Sequence, residues 1–294
     1  MRLAAKSNGG EAPAAIAVAG VSHTYGQGRT GEEVRTLDDV SLDVRRGELL
    51  CLIGPSGCGK STLLNVIGGL VRPTAGEVRI DGRAISGTTP DRIAYVFQEN
   101  TLFPWNTIAD NVKVALEFQG VPRADRRARA EEALTAVGLR DFANHYPHQL
   151  SGGMKQRASL ARAFSLRTDI LLMDEPFAAL DEQTRMYLGE ELSRLLADAD
   201  KTIVFVTHSL SEAVFLADRV VVMTARPAAI KAIVEVPHGH PRDPEFMTSV
   251  EFAALRNRLY ALLREEIQKT VGGIVGKAAE RDRSRTAADG ARGR

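Results

Sequence analysis

The chain has 294 residues, and its 38 Lys plus Arg against 37 Asp plus Glu give no electrostatic basis for a nucleic-acid partner. Its only cysteines, Cys51 and Cys58, are too few for a disulfide scaffold and lack neighbouring ligands for a zinc site, which fits a reducing cytosol. The longest apolar runs, 49–53 and 203–206, fall far short of the roughly 18 residues a spanning helix needs, so any membrane attachment has to come through a partner.

Residues 1–14 lack the basic segment, apolar core and cleavage site of a secretory signal and read as a mobile leader rich in Ala and Gly. Short β-branched segments at 16–21, 40–44 and 77–80 predict an antiparallel region. A continuous apolar run at 49–53 then ends in a glycine-rich turn, and 61–70 reads as a helix. Between about 99 and 167 the signals are mostly helical, at 109–119, 123–137 and 151–164, and suggest an inserted helical subdomain. Its Arg-rich stretch from Arg123 places Arg127 and Glu131 four residues apart, the pattern of a solvated helix face.

Further all-apolar runs at 170–173, 203–206 and 220–223 have the character of parallel strands covered on both faces. His238 and His240 have no accompanying ligands and read as loop. Asp243-Pro244-Glu245 offers an N-cap, a first-turn proline and an acid. Met247, Val250, Ala254, Leu255, Leu259, Leu262 and Leu263 then recur at helical spacing, so a docked helix is expected within 246–276, followed by a disordered tail at 277–294.

Gly54-Pro55-Ser56-Gly57-Cys58-Gly59-Lys60-Ser61 fits the phosphate-binding loop G-x-x-x-x-G-K-[ST] and sits, as that motif requires, between an apolar strand and a helix. Gly57 and Gly59 let the backbone approach an anion, Lys60 reaches its terminal phosphates, Ser61 is suited to Mg²⁺, and Thr62 adds a contact toward the α-phosphate. Cys58, at a helix start beside Lys60, is expected to be a reactive thiolate. The run at 170–173 delivers Asp174 and Glu175 at a strand end, Asp174 to hold Mg²⁺ through a water and Glu175 to polarise an attacking water. Together these motifs predict a P-loop NTPase and no more.

Leu150-Ser151-Gly152-Gly153-Met154-Lys155-Gln156-Arg157 narrows the field, because Ser151 is a good N-cap and Gly152 and Gly153 expose amides at the positive end of a helix. This octapeptide resembles the signature of the ABC ATPases. The resemblance implies an α/β fold with a RecA-like parallel-sheet core, an antiparallel β subdomain and an inserted α-helical subdomain, in an ATPase domain over 15–245. It also implies that Ser151, Gly152 and Gly153 contact ATP held by a second copy of the chain. By the same resemblance Tyr25 stacks on adenine, Gln98 reaches Mg²⁺ and the attacking water, His208 contacts the γ-phosphate, and Asp181 crosses the dimer interface.

The segments 101–112 and 146–154 look like the nitrate, sulfonate and taurine group of bacterial importers. That likeness implies an ATP-hydrolysing subunit, working with Mg²⁺ as a homodimer on the cytoplasmic face of the inner membrane. An integral permease holds it there, and a solute-binding protein acts indirectly. Trp105 is expected either at the permease contact or in the helical subdomain's own core. A non-transport ABC ATPase is the rival reading. Translation-type members carry two ATPase domains and repair-type members separate the motifs by a long coiled coil, and neither pattern is present.

Overall fold

The computed structural model describes residues 14–26, 33–89, 91–198 and 201–269. The expected tail at 277–294 lies outside them, as does the expected leader apart from Ala14, which opens the first strand. In chain order the elements are β1 (Ala14–Tyr25), β2 (Val34–Arg45), β3 (Leu49–Ile53), α1 (Lys60–Ile67), β4 (Ala75–Ile80), β5 (Arg83–Ala84), β6 (Ile93–Val96), α2 (Ile108–Phe118) and α3 (Arg123–Ala136). They continue as α4 (Gly152–Phe164), β7 (Ile170–Asp174), α5 (Glu182–Asp198), β8 (Thr202–Val206), α6 (Leu210–Leu216), β9 (Arg219–Met223) and β10 (Ile230–Glu235), followed by a helix, α7, over 250–269.

The 6-stranded sheet has the order β10-β9-β3-β8-β7-β6, parallel except for β10. Its central strands are unbroken apolar runs because both faces are covered. Leu49, Cys51, Ile53, Met173 and Phe205 point into a core shared with the helices, whereas Leu50, Leu52, Leu172, Val204 and Val206 point into a core closed by α1, β1 and β2. Full burial of each such aliphatic side chain contributes about 1.5–3 kcal/mol. A second, 4-stranded antiparallel sheet, β2-β1-β4-β5, forms the lid of that second core.

Neither β6 nor β10 was expected from the sequence. Strand β6 has 4 residues of mixed burial, and β10 is a half-exposed edge strand, so neither shows the long apolar run that marks β3, β7 and β8. The end of the chain also departs from expectation. Asp243 caps only a short 3-10 turn, Pro244–Thr248, and the longer helix starts afresh where the Ser249 hydroxyl accepts from Phe252 N at 3.0 Å. Helix α7 docks through Phe252, Leu259 and Glu266, while Val250 is 87% exposed.

Among the helices, Asn111 of α2 is fully buried. Its side-chain amide donates to the carbonyls of Phe103, Asn106 and Thr107, and its oxygen accepts from Phe103 N at 2.7 Å. A buried amide satisfied in this way pins the 103–107 loop. The same loop turns Trp105 outward, 71% exposed, so Trp105 does not close the helical core.

Candidate functional site

Strands β3, β6, β7 and β8 are parallel, so their C-terminal ends meet on one edge of the sheet, where parallel sheets collect ligands. The phosphate loop follows β3. Gly57 and Gly59 take φ of 71° and 133°, and a Cβ on Gly59 would stand 3.0 Å from Leu37 and 3.1 Å from the Thr36 carbonyl, so glycine is required there. The buried Lys60 ammonium donates to the carbonyls of Gly54 and Pro55, both at 3.0 Å, and is thereby curled over the loop at the start of α1.

Asp174 ends β7 and is buried. Burial raises its pKa, the Ser61 hydroxyl bonded to it works the other way, and the adjacent Glu175 charge adds to the rise. Glu175 follows with φ of 49°, its amide donating to Val206 O of the neighbouring strand at 3.0 Å. That left-handed backbone, uncommon for a residue with a side chain, turns the carboxylate toward Gln98, just beyond β6, and His208, just beyond β8. Gln98 Nε2 donates to Glu175 Oε2 at 3.2 Å, and His208 Nε2 lies 2.5 Å from Glu175 Oε1. Tyr25, at the end of β1, stands half-exposed with its hydroxyl 3.3 Å from Thr62 Oγ1 and its ring edge-on to His23.

These groups border one cavity of ≈ 470 Å³, lined by Tyr25, Ser56, Gly57, Gly59, Lys60, Ser61, Thr62, Gln98, Glu175 and His208 together with Val34, Thr36 and Arg226. A larger cleft of ≈ 730 Å³ beside Val121 and Arg129 contains none of the motif residues. Ser151, Gly152, Gly153 and Asp181 do not line the motif cavity. Ser151 caps α4 by accepting from Met154 N at 3.3 Å, with Gly152 exposed behind it. Asp181 caps α5, accepting from Thr184 N at 2.9 Å and from Thr184 Oγ1 at 2.7 Å.

A family model described as ABC transporter matches residues 37–178. The chain is 47% identical over 241 residues to an uncharacterised ABC transporter ATP-binding protein of Methanocaldococcus jannaschii, covering 82% of this chain and 89% of that one. The chain belongs to the ABC transporter ATP-binding family. A nitrate import ATP-binding protein of Synechococcus elongatus is 44% identical, covering 78% of this chain and 82% of its own length. A taurine import ATP-binding protein of Rhizobium johnstonii is 43% identical, covering 80% and 91%. Among solved structures, a dimeric ATP-binding cassette in a post-hydrolysis state bound to ADP and Pi superposes with a TM-score of 0.70 at 35% identity, covering 76% of this chain and 99% of that one. The protein is accordingly an ABC cassette ATPase with the P-loop NTPase fold.

In this cassette the expected reactive thiolate at Cys58 is not found. The thiol is 1% exposed, and burial raises its pKa more than Lys60 and the neighbouring amides lower it. Sequence reasoning also passed over several residues. Val34, Thr36 and Arg226 line the cavity from β2 and the β9–β10 loop, with no local motif to announce them. Behind His208, Thr207 donates its hydroxyl to the partly buried Glu212 at 2.5 Å, and Arg185 of α5 lies 3.4 Å from the same carboxylate. The spacing of Glu212 from the strand end carries no signal that distinguishes it from an ordinary first-turn acid of α6.

Proposed function

We propose that the cassette is the ATP-hydrolysing subunit of an importer for nitrate, taurine or a related small solute, held by a permease on the cytoplasmic face of the membrane and working as a homodimer. The supporting observation is a division of the motifs. Lys60, Ser61, Gln98, Glu175 and His208 surround one cavity, whereas Ser151, Gly152, Gly153 and Asp181 lie away from it. A two-fold pairing of copies brings one chain's exposed α4 N-terminus to the other's cavity, so that each nucleotide lies between both sets.

Within the cavity the loop amides and Lys60 bind the phosphates, and Tyr25 stacks on the base. Glu175, oriented by Gln98 and His208, takes the position from which a carboxylate polarises a water in line with the terminal phosphoryl group. His208 also offers a donor to that group. The donors suit Mg²⁺, a hard cation that prefers oxygen ligands and keeps several waters. Ser61 and Gln98 supply oxygens, and Asp174 Oδ1 is buried without a hydrogen-bond partner among the described residues. When bound, the ion supplies charge neutralisation across the phosphates.

Names of the similar nitrate and taurine import proteins favour this solute class, and the segments around Trp105 and Ser151 carry the same likeness. Uptake into vesicles holding the cognate permease and binding protein, with nitrate, taurine and other sulfonates offered in turn, tests the reading. ATP-dependent accumulation of one of them supports it. Recovery of the cassette from cells with ribosomes or DNA instead of a permease removes it.

A further inference from the structure

We propose that Arg226 is a nucleotide contact at the base end of the cavity, and that helix α7 sets its position through Glu266. The proposal rests on the reading that this cavity binds ATP.

Arg226 lies in the loop between β9 and β10. That loop is stitched to β2 by its backbone, with Ala228 N donating to Thr36 O at 2.8 Å and Asp38 N donating to Ala228 O at 2.9 Å. The stitching places Arg226 on the wall that also carries Thr36 and Val34, and Val34 is the strand partner of Tyr25. This is the Tyr25 side of the cavity, while Lys60 is curled over the carbonyls of Gly54 and Pro55 at the phosphate loop. The Arg226 side chain is exposed and has no ion pair or hydrogen bond among the described residues. A planar, weakly hydrated guanidinium in that position can stack on a purine face from the side that Tyr25 leaves open.

The residue before it is held from the C-terminal helix. Ala225 N donates to Glu266 Oε2 at 3.1 Å, and the Glu266 carboxylate, 1% exposed, also receives Lys231 Nζ at 2.9 Å and Lys269 Nζ at 2.7 Å. Lys231 additionally donates to Leu262 O at 2.9 Å, binding β10 to the same helix. Within the loop, Thr224 Oγ1 accepts from Ala229 N at 2.9 Å and closes the turn. The turn that presents Arg226 is therefore held on one side by β2 and on the other by α7, and movement of α7 changes the grip on the base. Glu266 acts as a positioning residue.

The test uses the full chain, with Mg·ATP, Mg·ADP and inorganic tripolyphosphate as ligands in calorimetric titrations. For Arg226→Ala the Kd for ATP and for ADP rises by the same factor, about 3- to 30-fold, with tripolyphosphate affinity unchanged and the kinetic loss falling on KM rather than kcat. Arg226→Lys, which keeps charge without the planar face, follows Arg226→Ala. Glu266→Gln raises KM for ATP in the same direction, and combining it with Arg226→Ala adds little further.

Wild-type affinities in Arg226→Ala overturn the contact, and an equal loss for tripolyphosphate overturns its assignment to the base. A Glu266→Gln variant that melts lower but keeps the wild-type KM overturns the coupling. Failure of the wild-type chain itself to bind ATP strikes the proposed function instead, and is seen before any variant is made.

Discussion

His208 Nε2 and Glu175 Oε1 are 2.5 Å apart, and the second oxygen of the same carboxylate accepts from Gln98 at 3.2 Å. Three strand ends thus converge on one carboxylate, and each of its oxygens is held by a neighbouring side chain. Replacing Glu175 by Gln keeps the shape and removes the proposed base. Steady-state phosphate release is expected to fall by roughly 10²-fold or more, while the Kd for ATP stays at the wild-type value. A variant that turns over normally takes Glu175 out of the reaction.

Cys58 supplies a test of burial against local charge. With the thiol enclosed and its pKa pushed up, the neutral form prevails near neutrality. Maleimide is expected to leave the native ATPase active and to label both cysteines only after unfolding in urea. Rapid inactivation of the native protein, prevented by ATP, is the opposite outcome and restores an activated thiolate at the helix start.

The parts of the fold legible in sequence were those in which one physical requirement dominates. Strands β3, β7 and β8 carry unbroken apolar runs at 49–53, 170–173 and 203–206 because both faces are covered, and the phosphate loop is marked by glycines, Gly59 above all, whose positive φ and close neighbours leave no room for a Cβ. Asp174 and Glu175 could be placed because they end such a strand. Cys58 departs from expectation because sequence proximity to Lys60 says nothing about the enclosing side chains, and Val250 because it stands at the very start of α7, whereas Leu255, Leu259 and Leu262 of the expected stripe do face the core. Arg226 reaches the cavity only through tertiary pairing of its loop with Thr36, which no local pattern records.

Trp105 is 71% exposed on a loop held from behind by Asn111, with Phe103 tilted against it at 5.5 Å. An exposed aromatic on a rigid support is suited to anchor a partner. Trp105→Ala is expected to abolish capture of the permease in a pull-down while leaving the melting temperature of the isolated cassette unchanged. A lower melting temperature with intact capture assigns Trp105 to the cassette's own packing.

Glu266 gives the docking of α7 a pH dependence. Burial opposes its charge, but Lys269, Lys231 and the Ala225 amide outweigh burial and hold its pKa at about 2, below the ordinary 4.5. A depressed carboxylate stabilises the fold above the unfolded pKa, and that contribution disappears as pH falls through 4.5 toward about 2. In urea denaturation the wild type is therefore expected to exceed Glu266→Gln in stability most near neutral pH, with the gap closing in acid. A gap that stays constant with pH contradicts the depressed carboxylate.

The proposed paired sandwich is tested most directly by light scattering on Glu175→Gln, which is expected to hold ATP without consuming it. With Mg·ATP the variant is expected to run at twice the monomer mass, to return to monomer with ADP, and to lose the dimer when Ser151 is replaced by a bulky residue such as Phe. A variant that stays monomeric at saturating Mg·ATP, in a wild type whose turnover per chain is independent of protein concentration, contradicts the sandwich.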